Sequence, residues 1–279
     1  MPAAGVFVVP LQGEDMATPT TFHLDKATLV SQSTTQIEQQ FQDNSYTLRQ
    51  KLALTCRILF DNGHDSGLAG QITGRAKEPG QYYTQQLGLG FDEITEDNLL
   101  LVDEDLNVLE GKGIPNPANR FHSWVYRARP DVQCIIHTHA RHTAALGMLE
   151  QPLIISHMDT CLLYDDVAFV ANWPGVPVGN EEGELISSAL GDKRALMLSH
   201  HGLLVAGSSV EEACMLALAF ERAAQMQLLA SSAGDIKPID PALGKEAHDW
   251  VSRPKRYSIS FQYYVRRMLK NAIHADCIR

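Results

Sequence analysis

From about residue 35 to residue 60 the chain carries apolar side chains at helical spacing: Phe41, Tyr46, Leu48, Leu52, Leu54, Cys56, Leu59 and Phe60. Asn62-Gly63 supplies a stop, so this stretch predicts one long helix or a broken pair. Residues 1–35 mix Pro, Gly, Ser and Thr without a sustained period and predict an extended arm. Beyond residue 63 the pattern changes. "GLAGQITGRAKEPGQYYTQQLGLGF" is rich in glycine and β-formers, and "NLLLVDEDLNVLEG" predicts a strand, a tight turn and a second strand, an antiparallel arrangement.

"RFHSWVYRARPD" places Phe121, Trp124 and Val125 on one helical face and exits at Pro130, after which "VQCIIHTHA" predicts a buried strand. A short helix follows in "RHTAALGML". One or two strands follow in "LIISHMDTCLLYDDVAFV", then a helix in "EEGELISSALGD" ended by Gly191, and a strand and turn in "RALMLSHHGLLVAG". The strongest helix is "SVEEACMLALAFERAAQMQLLASSAG", with Ser208 or Ser209 as N-cap and acidic residues in its first turn. Alternating helices and strands without a linker predict one α/β domain over residues 36–235, with a helical C-terminal extension over 236–279.

A chain of 279 residues has enough apolar material for a sizeable core, and its net charge of −10 with no run of Lys and Arg excludes a phosphate-neutralising nucleic-acid surface. Five scattered cysteines, two of them in apolar segments, predict reduced structural thiols. The apolar run near the N-terminus has no basic residue before it, and no stretch reaches membrane-spanning length. The expectation is an acidic cytoplasmic protein that binds neither nucleic acid nor membrane.

Histidine supplies the candidate chemistry. Residues i and i+2 of a strand share a face, so His137 and His139 in "HTHARH" project side by side from a strand end. A second apolar strand ends in "SHHG", where His200 or His201 can bring a third imidazole; neighbours point to opposite faces, and spacing does not choose between them. Three imidazoles with one open side suit zinc, manganese or iron(II) that also binds substrate. His142 is expected to hydrogen-bond locally or line the rim, and His64 and His122 to be structural.

"RPDVQCIIHTHARHTAALGML" and "RALMLSHHGLLVAGSSVEEACMLALAFERAAQMQLL" closely resemble the class II aldolase/adducin family, whose members include sugar-phosphate aldolases. The resemblance runs from about residue 45 to about 230. It implies a single three-layer α/β/α domain around a mixed, mostly antiparallel sheet, in a homotetramer with a metal cleft at the subunit boundary. It places the metal, zinc foremost and manganese or iron as substitutes, on His137, His139 and His201. In such aldolases the metal is a Lewis acid that polarises a carbonyl.

Several positions depart from the family pattern. Where aldolases carry a glutamate that shuttles the proton, this chain has Ala118, or Asn119 with a one-residue slip, and neither takes up a proton. The serines of the phosphate site become Asn116 and Pro117, the asparagine of the glycine-rich loop becomes Gln71, and a Thr-Gly pair becomes Leu87-Gly88. A non-phosphorylated substrate is therefore expected, contacted by Gln71, Gly88, Asn116 and Asn119. His157 corresponds to a tyrosine that some aldolases lend from a neighbouring subunit, and an imidazole there can donate a proton near neutral pH. The C-terminal "RPKRYSISFQYYVRRMLKNAIH" predicts a helix over a subunit interface or the cleft, where Arg266, Arg267 and Lys270 form a carboxylate-binding rim if they face the metal.

These features predict a divalent-metal-dependent lyase that cleaves a C–C bond of a small hydroxy- or keto-acid, by decarboxylation or retro-aldol reaction, through a metal-stabilised enolate. Two alternatives are a non-haem iron oxygenase carrying out oxidative decarboxylation and an adducin-like assembly domain without catalysis.

Overall fold

The computed structural model describes residues 21–172 and 175–278. The N-terminal apolar run lies outside them. The chain divides into two units, residues 1–42 and 43–279. In the first, α1 (Lys26–Gln40) is a helix where residues 26–35 were expected to be extended. Its sequence lacks an apolar stripe but also lacks Gly and Pro, and Asp25 caps it by accepting a hydrogen bond from the Thr28 amide at 2.7 Å.

The second unit contains α2 (Leu48–Asp61), β1 (Gln71–Arg75), β2 (Gln81–Gln85), β3 (Leu99–Asp103), β4 (Val108–Glu110), α3 (Arg120–Ala128), β5 (Cys134–Thr138) and α4 (Arg141–Met148). It continues with β6 (Val167–Val170), α5 (Asn180–Leu190), β7 (Ala195–Leu198), β8 (Gly202–Gly207), α6 (Val210–Ser231), α7 (Pro241–Val251) and α8 (Pro254–Met268). The predicted long helix is thus a broken pair: residues 41–47 are non-helical, and Thr47 restarts the helix with a capping box to Gln50.

The strands form one sheet in the order β4-β3-β2-β1-β5-β8-β7-β6, antiparallel throughout except for the parallel pair β6 and β7. Strand alternation divides the core in two. Cys134, Ile136, Met197, Leu203 and Val205 pack with α2, α6 and α8, whereas Ile135, Leu196, Leu198, Leu204 and Ala206 pack with α3 and α5. This is a three-layer α/β/α architecture, with β5 near the centre of the sheet.

The C-terminal segment is helical and packs into the second unit. Phe261, Val265 and Met268 of α8 belong to the larger core, Arg57 pairs with Asp276 at 3.2 Å, and buried His274 meets Asp61 at 3.0 Å. Tyr257, Phe261 and Tyr264 of "YSISFQYYV" form a helical stripe that packs into this core, while Tyr263 stays exposed. All five cysteines are free and buried. Among the described residues no helix is long and apolar enough to cross a membrane.

Candidate metal centre

His137 is the fourth residue of β5, facing Gln71 of β1 on one side and Leu204 of β8 on the other. It shares a face with Ile135, so its ring lies on the α3 side of the sheet, 5.3 Å from the ring of Phe121. His139 follows the strand with the same parity, and the Nε2 atoms of His137 and His139 are 3.1 Å apart.

The third imidazole reverses simple alternation. Leu204 pairs with His137, so counting back along β8 in steps of two puts His200, not His201, on the His137 face. The hairpin between β7 and β8 prevents this. His201 donates its amide to the Leu198 carbonyl at 3.2 Å, and His200 takes a left-handed conformation with φ of +55°. His200 swings outward to Glu150, 2.9 Å away, and His201 turns in. Gly202 completes the turn, because a Cβ there would collide with the Thr138 carbonyl and come within 2.9 Å of the His139 ring.

The three rings pack with centroids 4.7 to 5.0 Å apart, and their ligand nitrogens all lie within 4.8 Å of one another. Burial lowers the pKa of each. For His137 it falls well below the ordinary value, with the neighbouring histidines adding to the effect, and for His201 it falls to about 3. Neutral imidazoles present lone pairs, the form that binds metal. This donor set fits a single divalent cation such as zinc, with a side left open for another ligand.

The open side is a pocket of about 340 Å³ lined by Ala69, Gln71, Ala118, Val176, Pro177 and His200 beside the triad. Gln71 donates to the Ala69 carbonyl at 2.6 Å, which fixes its amide. At the position where a carboxylate was in question, the wall is the Ala118 methyl. Asn119 is fully buried behind it and donates to Thr84 Oγ1 at 2.9 Å. Asn116 caps the turn before α3, accepting from the Ala118 amide at 3.0 Å. Gly88 is exposed, with a φ of +101°, and lies outside the lining. Of the expected substrate contacts, Gln71 alone reaches the pocket within one chain. Ala69, Val176 and Pro177 carry no chemical signal in the sequence and were missed.

His157 is exposed, caps a short 3₁₀ turn by accepting from the Asp159 amide at 3.1 Å, and does not line the pocket of its own chain. Arg267 lines a separate hollow with His142, Glu221 and Arg222, so it is no rim to the triad of its own chain. His64 and His122 are buried, each bonded through Nδ1 to a threonine, Thr138 and Thr73 respectively, at 2.8 Å. His142, expected to bond locally or line the rim, instead bonds to Glu221, 79 residues on along the chain, at 2.7 Å. Burial pushes the Glu221 carboxyl up, but hydrogen bonds from His142 and Thr143 outweigh it and hold the pKa below its ordinary value.

The family described as Class II Aldolase and Adducin N-terminal domain matches residues 50–228. The chain belongs to the class II aldolase and adducin family. Its relatives differ in their named activities. A Streptomyces roseochromogenus subsp. oscitans protein, 4-hydroxy-3-prenylphenylpyruvate oxygenase/4-hydroxy-3-prenylbenzoate synthase, is 31% identical over 186 residues, 66% of each chain. Decarboxylase NovR of Streptomyces niveus is 31% identical over 181 residues, 64% of this chain and 66% of that one. Among solved structures, L-fuculose 1-phosphate aldolase from Glaciozyma antarctica PI12 superimposes with a TM-score of 0.77 at 26% identity, covering 87% of this chain and 99% of the other. The class II aldolase fold and its central sheet are therefore shared, whereas the relatives' chemistries diverge.

Proposed function

We propose that this class II aldolase relative is a metal-dependent lyase that breaks a C–C bond in a small, non-phosphorylated hydroxy- or keto-acid, with decarboxylation as the primary reaction. The observation that carries this reading is the pocket itself: three neutral imidazoles converge on one point, and the wall beside them offers the Ala118 methyl rather than a carboxylate. His137, His139 and His201 would hold the ion, zinc foremost. Bound there, a divalent cation supplies positive charge that accommodates the electrons left by the departing carbon.

Retro-aldol cleavage begins by removing a hydroxyl proton and needs a base; beside the triad the described lining offers only the imidazole of His200, which is turned outward to Glu150 at 2.9 Å. Loss of CO₂ needs none at the start. Gln71 orients the substrate through its fixed amide, and Ala69, Val176 and Pro177 give that side an apolar lining. The same lining contains no Lys, Arg, Ser or Thr, which disfavours a phosphate. The product carbon must then receive a proton. His157 is the proposed donor, and because it lies away from its own pocket, it acts in a neighbouring copy of a homo-oligomer, a tetramer in this reading.

An oxygenase reading is favoured by one specific finding, the 31% identity to a protein named as an oxygenase and synthase. One experiment tests both. Elemental analysis of the purified protein is followed by a screen of small hydroxy- and keto-acids for CO₂ release, with and without oxygen. The proposal expects zinc or manganese and oxygen-independent turnover, both lost in His137→Ala. Iron with a strict oxygen requirement supports the oxygenase, and metal and activity retained in His137→Ala refute the site.

A further inference from the structure

We infer that Glu221, on α6 and far along the chain from the ligand strand, is a positioning residue of the imidazole centre. Helix α4 begins two residues after His139, and its N-cap is Ala140, which has no side chain to close the helix start. The amides a capping side chain ordinarily takes are those of the second and third helical residues. Here these are His142 and Thr143, and Glu221 accepts both, at 2.9 Å each, through its two carboxylate oxygens. The same oxygens accept Nδ1 of His142 at 2.7 Å and Oγ1 of Thr143 at 2.8 Å. One buried carboxylate thus does for α4 what its own cap cannot, and ties the chain leaving His139 to α6.

This matters at His139 because β5 ends at Thr138, whose ladder partner is Leu203. The last ligand of the pair is outside the sheet. Its position rests on the loop before β1, where Ser66 Oγ accepts the His139 amide at 2.8 Å, and on the start of α4 behind it. The neighbouring Thr138 is held from the α6 side by His64. Releasing the α4 end therefore frees His139 to drift from His137 and His201, both still fixed by strands and the hairpin. Partners of this kind, which orient a ligand without touching the ion, commonly change metal affinity tenfold to a hundredfold.

The inference rests on reading the triad as a metal site, and the test separates the two. Full-length wild type, Glu221→Gln, and Glu221→Gln combined with Ala140→Ser are loaded with Co²⁺. Affinity is measured by chelator competition, coordination by visible absorption, and the melting of the metal-free proteins is followed in parallel. Glu221→Gln is expected to weaken Co²⁺ binding by about tenfold or more and to change the visible spectrum. Ala140→Ser restores a local cap to the same two amides and is expected to recover both readouts. Wild-type affinity and spectrum in Glu221→Gln, even with a lower melting temperature, reduce Glu221 to a stabilising residue and overturn the inference alone. Wild type that binds no Co²⁺ overturns the reading of the triad. Should Glu221→Gln not fold, Thr143→Val removes one of the four bonds while keeping the carboxylate; a several-fold loss of affinity supports the inference and an unchanged affinity overturns it.

Discussion

Acid should destabilise the metal-free protein well before its carboxylates are protonated, and His122 gives the effect a magnitude. This ring is fully buried on α3, bonded through Nδ1 to Thr73, and burial lowers its pKa from 6.5 to about 3. Because the folded value is the depressed one, its contribution to stability is complete above pH 6.5. It is lost as the pH falls towards 3, since the unfolded chain takes up a proton that the folded chain refuses. At pH 5 an ordinary histidine is already mostly protonated, which stabilises the unfolded state by about 2 kcal/mol for this one ring. Against a typical total of about 5–15 kcal/mol this is a large share, and His64, lowered to about 4 by burial, acts in the same direction. Urea unfolding of the chelator-treated protein at pH 7.5 and pH 5 measures the difference. In His122→Phe the loss between the two pH values should shrink by about 2 kcal/mol, although the variant starts lower for want of its bond to Thr73. An equal loss in wild type and variant refutes the reasoning.

Two further outcomes concern the β7–β8 hairpin. His200→Gly relieves a left-handed residue and gives up only an exposed hydrogen bond to Glu150, so it should raise stability by about 0.5–1 kcal/mol and leave metal content unchanged. A lower melting temperature or a lost ion on elemental analysis contradicts this. Gly202→Ala forces a methyl against the Thr138 carbonyl and the His139 ring, and should cost about 1–3 kcal/mol in chemical denaturation while weakening metal binding. Wild-type values for both would show that the close approach is dispensable.

The juxtaposition of His137 and His139 was legible in the sequence, because a period of two puts both on one face of any strand that contains them. Spacing alone could not choose between His200 and His201, and only the family resemblance pointed to His201. Alternation favours the first, and only the backbone of the turn, a left-handed residue where no glycine announces it, delivers the second. The periodicity of α2, α3, α5 and α6 was legible, whereas α1 was not, since its formation rests on a cap rather than an apolar stripe. Gln71 was found through its departure from the family pattern. Asn116 and Asn119 stood out by the same test but spend their side chains on a turn and on Thr84. Glu221 gave no signal, because its partners are distant in sequence and a glutamate on a long helix ordinarily faces water.

The place of β5 in the sheet divides the centre by timescale. Both neighbours of His137 are paired strands, so its amide and carbonyl lie where opening the ladder means unfolding the domain. His201 is held by a single turn and His139 by a loop and a helix start. If the triad holds an ion as proposed, its loading and release can proceed through local excursions of the hairpin and of the α4 start, with His137 as the fixed post on which the other two imidazoles close.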